Sequence, residues 1–501
     1  MQTRRAVSAY PARPGPGTAL NQAGLGQYAR SMHPAANPGA IHPGAQPRGT
    51  HPGAQARGAP AADWQAPGAT GPVRAGLRPP GSKSVTNRAL VLAALAAGPT
   101  TIINPLRARD TLLMAEALRA LGAVIDEGRT APDGAGPAIW RLTPGRLAGR
   151  AVVDVGNAGT VLRFVPPLAA LARGDVEFRG DQRASQRPVG PLLAALRELG
   201  AVIGDQGRDA VPFVVCGRGG ISGGPVTLDA SGSSQLVSGL LLAAARFDKG
   251  ADVRHQGPRI PSAPHIAMTV QMLQDAGAHV ETWITGRQTA VPDRWRVQPG
   301  ELRPPAVAVE PDVSNAAPFL AAALVTGGSV TIAGWPLRGL QPASQVLEVL
   351  TAMGAQCSPT PDGMRVTGTG AIRGINADLR DVSEITPVLT ALAALADGPS
   401  VFTGIGHMRT HESDRLAALA AEIGGLGGDI TQREDGLEVR PRPLRADGAI
   451  FASHDDHRLV MAAAVLGLAL PHGLRVGDAA TVEKTFPAFT RMWSDMLETS
   501  P

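Results

Sequence analysis

Of 47 basic residues in this chain of 501, only three are lysines, Lys83, Lys249 and Lys484, so lysine is retained chiefly where arginine would not serve. Lys83 lies in PGSKSVTNR, starting at Pro80, and Lys484 in KTFP; both stretches are polar and lack helical or strand periodicity. A lysine is a compact cation whose pKa burial can lower, so it can pass a proton as well as hold an anion. Lys249, in FDKGA, reads as a surface turn residue. Two glutamates are the matching candidates for proton transfer, Glu384 in DVSEIT and Glu412 in HESDR. Taken alone, each has a plainer use: a Glu in a first helical turn satisfies the dipole, and Glu412 can pair with Arg415 three residues on.

What must position these residues is a set of helix starts. Six polar stretches each precede an Ala/Leu-rich helical run: PGSKSVTNR (80–88), GNAGT (156–160), SGSSQ (231–235), PDVSN (311–315), DVSEIT (381–386) and SHDDHR (453–458). A helix N-terminus offers unpaired N–H groups and partial positive charge, which suits phosphate or carboxylate. Capping explains the Ser, Thr, Asn and Asp. It leaves Lys83, Arg88, Arg163 and Arg458 unexplained, because cations beside a helix start are unfavourable unless an anion lies between them. The ligand should carry several negative charges.

The six helical runs belong to a repeat. Their turn glycines, Gly98, Gly174, Gly250, Gly327, Gly398 and Gly473, recur at intervals of 71 to 77 residues, the size of one α/β unit. A second helix recurs in five units and ends in ALRALGAVID, ALRELGAVIG, MLQDAGAHVE, VLTAMGAQCS or EIGGLGGDIT; each places Gly where a left-handed C′ residue is wanted. A strand of alternating character follows, so each unit holds two helices with strands between and after them, and six units fill roughly 72 to 497.

Composition bounds the rest. The formal charge of +5 suggests nucleic acid at first, but residues 1–62 hold six arginines and no Asp or Glu, which leaves 41 basic and 42 acidic residues in the remainder. That nearly neutral remainder lacks aromatic interleaving, so no nucleic acid is expected as partner. The Pro/Gly/Ala-rich start, which repeats HPGAQPRGT as HPGAQARGA, cannot build a core; residues 1–70 are read as a disordered tail or a mis-assigned start rather than a targeting segment. The longest apolar runs are about half the roughly twenty residues a bilayer span needs. Cys216 and Cys357 lack metal-ligand spacing, so a reduced cytoplasmic setting, no metal and no cofactor are expected.

PGSKSVTNRALVLAALAAG from Pro80 resembles the opening signature of the 5-enolpyruvylshikimate-3-phosphate synthases, of the enolpyruvyl transferase family; GNAGTVLR, DASGSSQ, HESDRL, DDHR and KTFP are similar to the family's other signatures, in its order. The resemblance implies an α/β chain with the two-domain enolpyruvyl transferase fold, an inside-out α/β barrel of six βαβαββ-like units, three per domain. Residues 71–82 with 310–501 would form one domain and 83–309 the other, with chain crossings near 81–84 and 305–312 and a cleft that closes on substrate. A monomer is expected. By the same resemblance, shikimate 3-phosphate would be held by Lys83, Ser84, Arg88, Ser233, Ser234, Gln235, Ser262, Glu384 and His411. Phosphoenolpyruvate would be held by Lys83, Gly159, Arg187, Gln235, Arg415, Arg458 and Lys484. Glu384 would take the proton of the 5-hydroxyl, and Glu412 with Lys484 would protonate the methylene and later remove a proton as phosphate leaves; Lys83 completes the catalytic set. Glyphosate should compete for the phosphoenolpyruvate site, where Gly159 leaves it room. The family often has Asp at Glu384, Lys at His411 and Tyr at His265, which weakens those two histidine assignments. A UDP-N-acetylglucosamine enolpyruvyl transferase, a cyclase of related fold and a non-catalytic anion binder are the alternatives.

Overall fold

The computed structural model describes residues 63–128, 138–286 and 291–498. Residues 1–62 of the tail expected over 1–70 lie outside these residues. The expected boundary at 70 is too late, because Trp64–Ala66 forms a strand antiparallel to Leu474–Gly477. Asp63 pairs with Arg475, and the Trp64 ring packs edge-on against Phe489. The apolar and ionic partners on both sides of this strand bring 63–70 into the fold.

Among the described residues there are six sheets, five of four strands and one of three. Four of the five four-stranded sheets share one order along the chain, first, second, fourth, third; in the fifth the edge place beside Thr100–Ile103 is taken by Val307–Ala308, the last of its strands in the chain. In one of the four Ala151–Asp154 runs parallel to Arg173–Arg179, which is antiparallel to Phe213–Arg218, which in turn is antiparallel to Val202–Gly204. The parallel pair is joined by helix Gly159–Leu171 and the antiparallel pair by a short turn, as the βαβαββ expectation requires. The five C′ glycines, Gly122, Gly200, Gly277, Gly354 and Gly427, have φ between 88° and 109°, a region costly for any side chain. Gly174 departs from expectation; it lies inside strand Arg173–Arg179 rather than in a turn.

The six long helices are buried nearly all round, which is why they read as Ala/Leu runs without a polar face. Gly239 lets helix Ser234–Ala244 touch helix Gly159–Leu171, since a Cβ there would sit 2.2 Å from the Arg163 carbonyl oxygen. Two sheets take an edge strand from a distant part of the chain. Arg74–Leu77 pairs with Ser329–Ala333, and Val307–Ala308 pairs with Thr100–Ile103. Residues 80–82 and 310–312 lie side by side: Ser82 N donates to Glu310 O at 2.8 Å and Asp312 N to Pro80 O at 3.0 Å. No helix among the described residues is long and apolar enough to cross a membrane.

Candidate active site

All six expected helices begin where the polar stretches end, at Lys83, Gly159, Ser234, Val313, Thr386 and His457. Ser82, Ser233, Asp312 and Asp456 cap their helices through side-chain oxygens. Asp312 does more than cap. Its Oδ1 accepts from the Ser314 and Asn315 N–H groups and its Oδ2 from the Lys83 N–H at 3.2 Å, tying two helix starts together.

These starts surround one cleft. From residues 83–309 its wall receives Lys83, Ser84, Gly159, Arg187, Gln235, Ser262 and His265; from 310 onward it receives Asp312, Ser314, Glu384, His411, Glu412 and Arg458. Five expected ligand residues do not form the wall: Arg88, Ser233, Ser234, Arg415 and Lys484. They stand directly behind it, because charged and capping groups at this depth are held by partners of their own.

Arg415 is fully buried and binds three carboxylates: Asp456 at 2.7 Å from Nε, Glu412 at 2.8 Å from Nη2 and Glu384 at 3.2 Å from Nη1. Glu384 also pairs with Arg458 at 2.6 Å. Glu412 lies 3.5 Å from Arg187 and 3.8 Å from Lys484, whose Nζ donates to the Asn157 carbonyl. Lys83 Nζ is 3.2 Å from the buried Asp110 carboxylate. The cations at the helix starts are therefore partly matched by the protein's own carboxylates, while Arg163 donates to Gly159 O, Pro188 O and Gln235 Oε1. The Glu412–Arg415 pair expected as the plain alternative is present.

Burial favours neutral carboxyls, yet Arg458 and Arg415 hold Glu384 well below the usual carboxylate range, and Arg187, Arg415 and Lys484 do the same to Glu412. The two lysines differ. Burial lowers Lys484, with Asp110 and Glu412 only partly offsetting it. For Lys83 burial acts the same way but Asp110, Glu412 and Glu384 outweigh it, so its pKa is raised and the expectation of a lowered proton donor fails there. Burial lowers His265 and His407 to about 4, and lowers His411 well below its ordinary value, helped by Arg415.

A sign follows for stability. Histidines held neutral in the fold and protonated in the unfolded chain favour unfolding as pH drops below about 6.5, and carboxylates with depressed pKa lose their contribution as pH falls below about 4. The urea midpoint should therefore rise from pH 5 to pH 7; a flat profile over that range would contradict the neutral-histidine assignment.

Ser262 starts its helix with φ 51°, unusual for a residue other than glycine, and its Oγ is 3.1 Å from Ser383 Oγ, which is 3.1 Å from His407 Nε2. Asp110, Asp312, Asp456, Asn157 and Ser383 were not singled out in the sequence. Capping spacing in PDVSN and DDHR could have found Asp312 and Asp456; nothing in the sequence marks Asp110, which reaches Lys83 from another helix. Cys216 and Cys357 are half-buried in strands, and burial raises the Cys216 thiol, so Cys216 is not an activated thiolate.

The sequence model of the family described as EPSP synthase (3-phosphoshikimate 1-carboxyvinyltransferase) matches residues 68–493. Proteins named 3-phosphoshikimate 1-carboxyvinyltransferase from Kocuria rhizophila and Mycobacterium ulcerans are each 48 % identical, covering 87 % of this chain and 96 % and 98 % of those relatives. Among solved structures, an EPSP synthase from Acinetobacter baumannii superposes with a TM-score of 0.69 at 26 % identity, over 87 % of this chain and 97 % of that one. The enolpyruvyl transferase NikO from Streptomyces tendae, at 17 % identity and a TM-score of 0.66, covers 86 % of this chain and 96 % of its own and supports the fold alone. The chain belongs to the EPSP synthase family.

Proposed function

We propose that the cleft moves the 1-carboxyvinyl group of phosphoenolpyruvate onto the 5-hydroxyl of shikimate 3-phosphate by addition and then elimination, using the residues inferred from the sequence. The transfer is the family's reaction, and this chain catalyses it. One observation carries the assignment of roles: two carboxylates, Glu384 and Glu412, face one cleft and share a single cluster of Arg187, Arg415, Arg458 and Lys484.

In the addition, the 5-hydroxyl oxygen bonds to C2 of phosphoenolpyruvate, its proton passes to Glu384, and C3 gains a proton to become a methyl group. At rest Glu412 is ionised and Lys484 carries the nearby proton, so this pair delivers it together. In the elimination the pair takes a proton back from the methyl group as the C2–O bond to phosphate breaks, and the proton held by Glu384 passes to the departing phosphate. Glu384 is a weak base while two arginines hold it. The ligand's carboxylate and phosphate compete for those arginines through bidentate contacts, and their loss raises the basicity of Glu384. Lys83, with its raised pKa, acts as an electrostatic clamp on developing negative charge.

Residues 83–309 and the segments 63–82 and 310–498 are assigned to two domains with the cleft between them, and the paired crossings at 80–82 and 310–312 to the hinge. Contacts such as Arg183 to the His411 and Arg409 carbonyls, and Ser262 N to Arg380 O, support a cleft drawn closed. The enzyme is placed in the cytoplasm as a monomer, which sedimentation would check.

Phosphate release from phosphoenolpyruvate tests the reading. It should require shikimate 3-phosphate and should not occur with UDP-N-acetylglucosamine; release only with the sugar nucleotide would overturn it. Gly159 gives a second test. A Cβ there would lie 2.6 Å from Arg187 Nη2 and 2.8 Å from Arg163 Nη1, the mobile ends of side chains, so Gly159→Ala should fold and push the guanidinium aside. The KM for phosphoenolpyruvate is expected to rise about tenfold or more, the loss of a charge-assisted contact. An unchanged KM would remove Gly159 and Arg187 from that site.

A further inference from the structure

Arg88, like Arg163, hydrogen-bonds to neutral oxygens, whereas Lys83, Arg187, Arg415, Arg458 and Lys484 each stand against a carboxylate. Arg88 is 1 % exposed, and all its hydrogen bonds go to neutral oxygens: Nε to Thr269 Oγ1 at 2.7 Å, Nη1 to Ser84 O at 3.0 Å, and Nη2 to Ser238 Oγ at 3.3 Å and His265 O at 3.1 Å. The Phe164 ring lies beneath it, 5.1 Å from the guanidinium carbon. Burial lowers its pKa to about 9, with no carboxylate acting in the other direction. Lys83, Arg415 and Arg458 are paired with Asp or Glu; Arg88 keeps its charge uncompensated.

A guanidinium has five N–H groups, and four are engaged here. The fifth is on Nη1, the nitrogen bonded to the Ser84 carbonyl, and Ser84 and His265 line the cleft. Thr269 and Ser238 are fully buried and come from two different helices, Ala263–Asp275 and Ser234–Ala244. Their hydroxyls lie 3.0 Å apart, and the Thr269 hydroxyl also reaches the His265 carbonyl at 2.9 Å, which leaves its lone pairs toward Arg88. An Asp at either place would fix the guanidinium equally well but would neutralise it. Hydroxyls orient it without supplying a counter-ion.

We infer that Thr269 and Ser238 are positioning residues that hold Arg88 oriented but unneutralised, so that the carboxylate of the acceptor substrate becomes its counter-ion. This rests on the reading of shikimate 3-phosphate as the acceptor. It assigns selection of a carboxylate-bearing acceptor to a buried pair that touches no ligand.

Calorimetric titration of shikimate 3-phosphate and of its carboxylate methyl ester into the wild type, Thr269→Val, Thr269→Ser and Ser238→Ala tests it. Thr269→Val should weaken binding of the acid by about tenfold to hundredfold, the effect of removing one hydrogen bond to a charged group. It should weaken the ester much less, because the two changes act on one interaction. Thr269→Ser should stay within about threefold of wild type. In turnover the loss should appear in the KM for shikimate 3-phosphate, with kcat reduced less than about threefold. If Thr269→Val does not fold, Ser238→Ala carries the comparison, with a smaller loss for its longer contact. Equal penalties for acid and ester, or wild-type affinity in both hydroxyl variants, would overturn the positioning role. A wild type that binds neither compound would instead overturn the acceptor reading itself.

Discussion

Glu412→Gln should lower kcat by about two to four orders of magnitude, the usual weight of a positioned acid or base, while the KM for phosphoenolpyruvate stays within about threefold. The amide keeps the shape of the side chain and loses its capacity to exchange a proton. It also removes the negative charge now shared by Arg415 at 2.8 Å, Arg187 at 3.5 Å and Lys484 at 3.8 Å. Those cations remain for an anionic ligand, and none is left without a protein acceptor, since Arg187 keeps the Asn157 carbonyl and Arg415 keeps Asp456. Steady-state kcat and KM measured together check this. A kcat within tenfold of wild type, or a loss carried by KM alone, would make Glu412 a structural ion-pair partner and no more.

Arg415→Ala should be the most destabilising change in the cleft, at about 3–5 kcal/mol, because it removes the common partner of carboxylates that are themselves buried. Asp456 is the decisive one. It is fully buried, accepts from Arg415 Nε, Arg458 N and Ser413 Oγ, and begins helix His457–Gly467 as its cap. Without Arg415 its charge has only neutral donors, and Glu384 and Glu412 are left close to each other with fewer cations between them. Arg415→Lys keeps a charge but cannot reach three acceptors with a planar fork, so it should recover only part of the stability. Urea unfolding gives the difference directly, and a change below about 1 kcal/mol would mean that the buried pair contributes little.

The architecture was legible because its signals are local. A C′ glycine is demanded by backbone geometry within one helical turn, and five of them in register disclosed the unit before any contact was known. The helix starts were legible for the same reason, and so was the small set of lysines. Partnerships between distant helices were not. Asp110 comes to Lys83 from a separate helix, and the difference between a lysine raised by carboxylates and one lowered by burial depends on neighbours that spacing cannot reveal. The strand Trp64–Ala66 was missed because three residues pair across more than four hundred positions and follow directly on a Pro/Gly-rich stretch that reads as coil. Arg88 stands out in the sequence as a candidate binding residue, but the neutrality of its cradle depends on Thr269 and Ser238, apparent in sequence only as hydroxyls inside two apolar helices.

The most direct measurement is a single-turnover mixture of the protein, shikimate 3-phosphate and phosphoenolpyruvate carrying 13C at C2, quenched at intervals and read by NMR. The predicted result is a transient tetrahedral carbon bonded to both the shikimate oxygen and phosphate, which decays to an enol ether carbon as phosphate appears in equal amount. Label that stays in phosphoenolpyruvate, or leaves it as pyruvate without joining the shikimate ring, would contradict addition and elimination in this cleft.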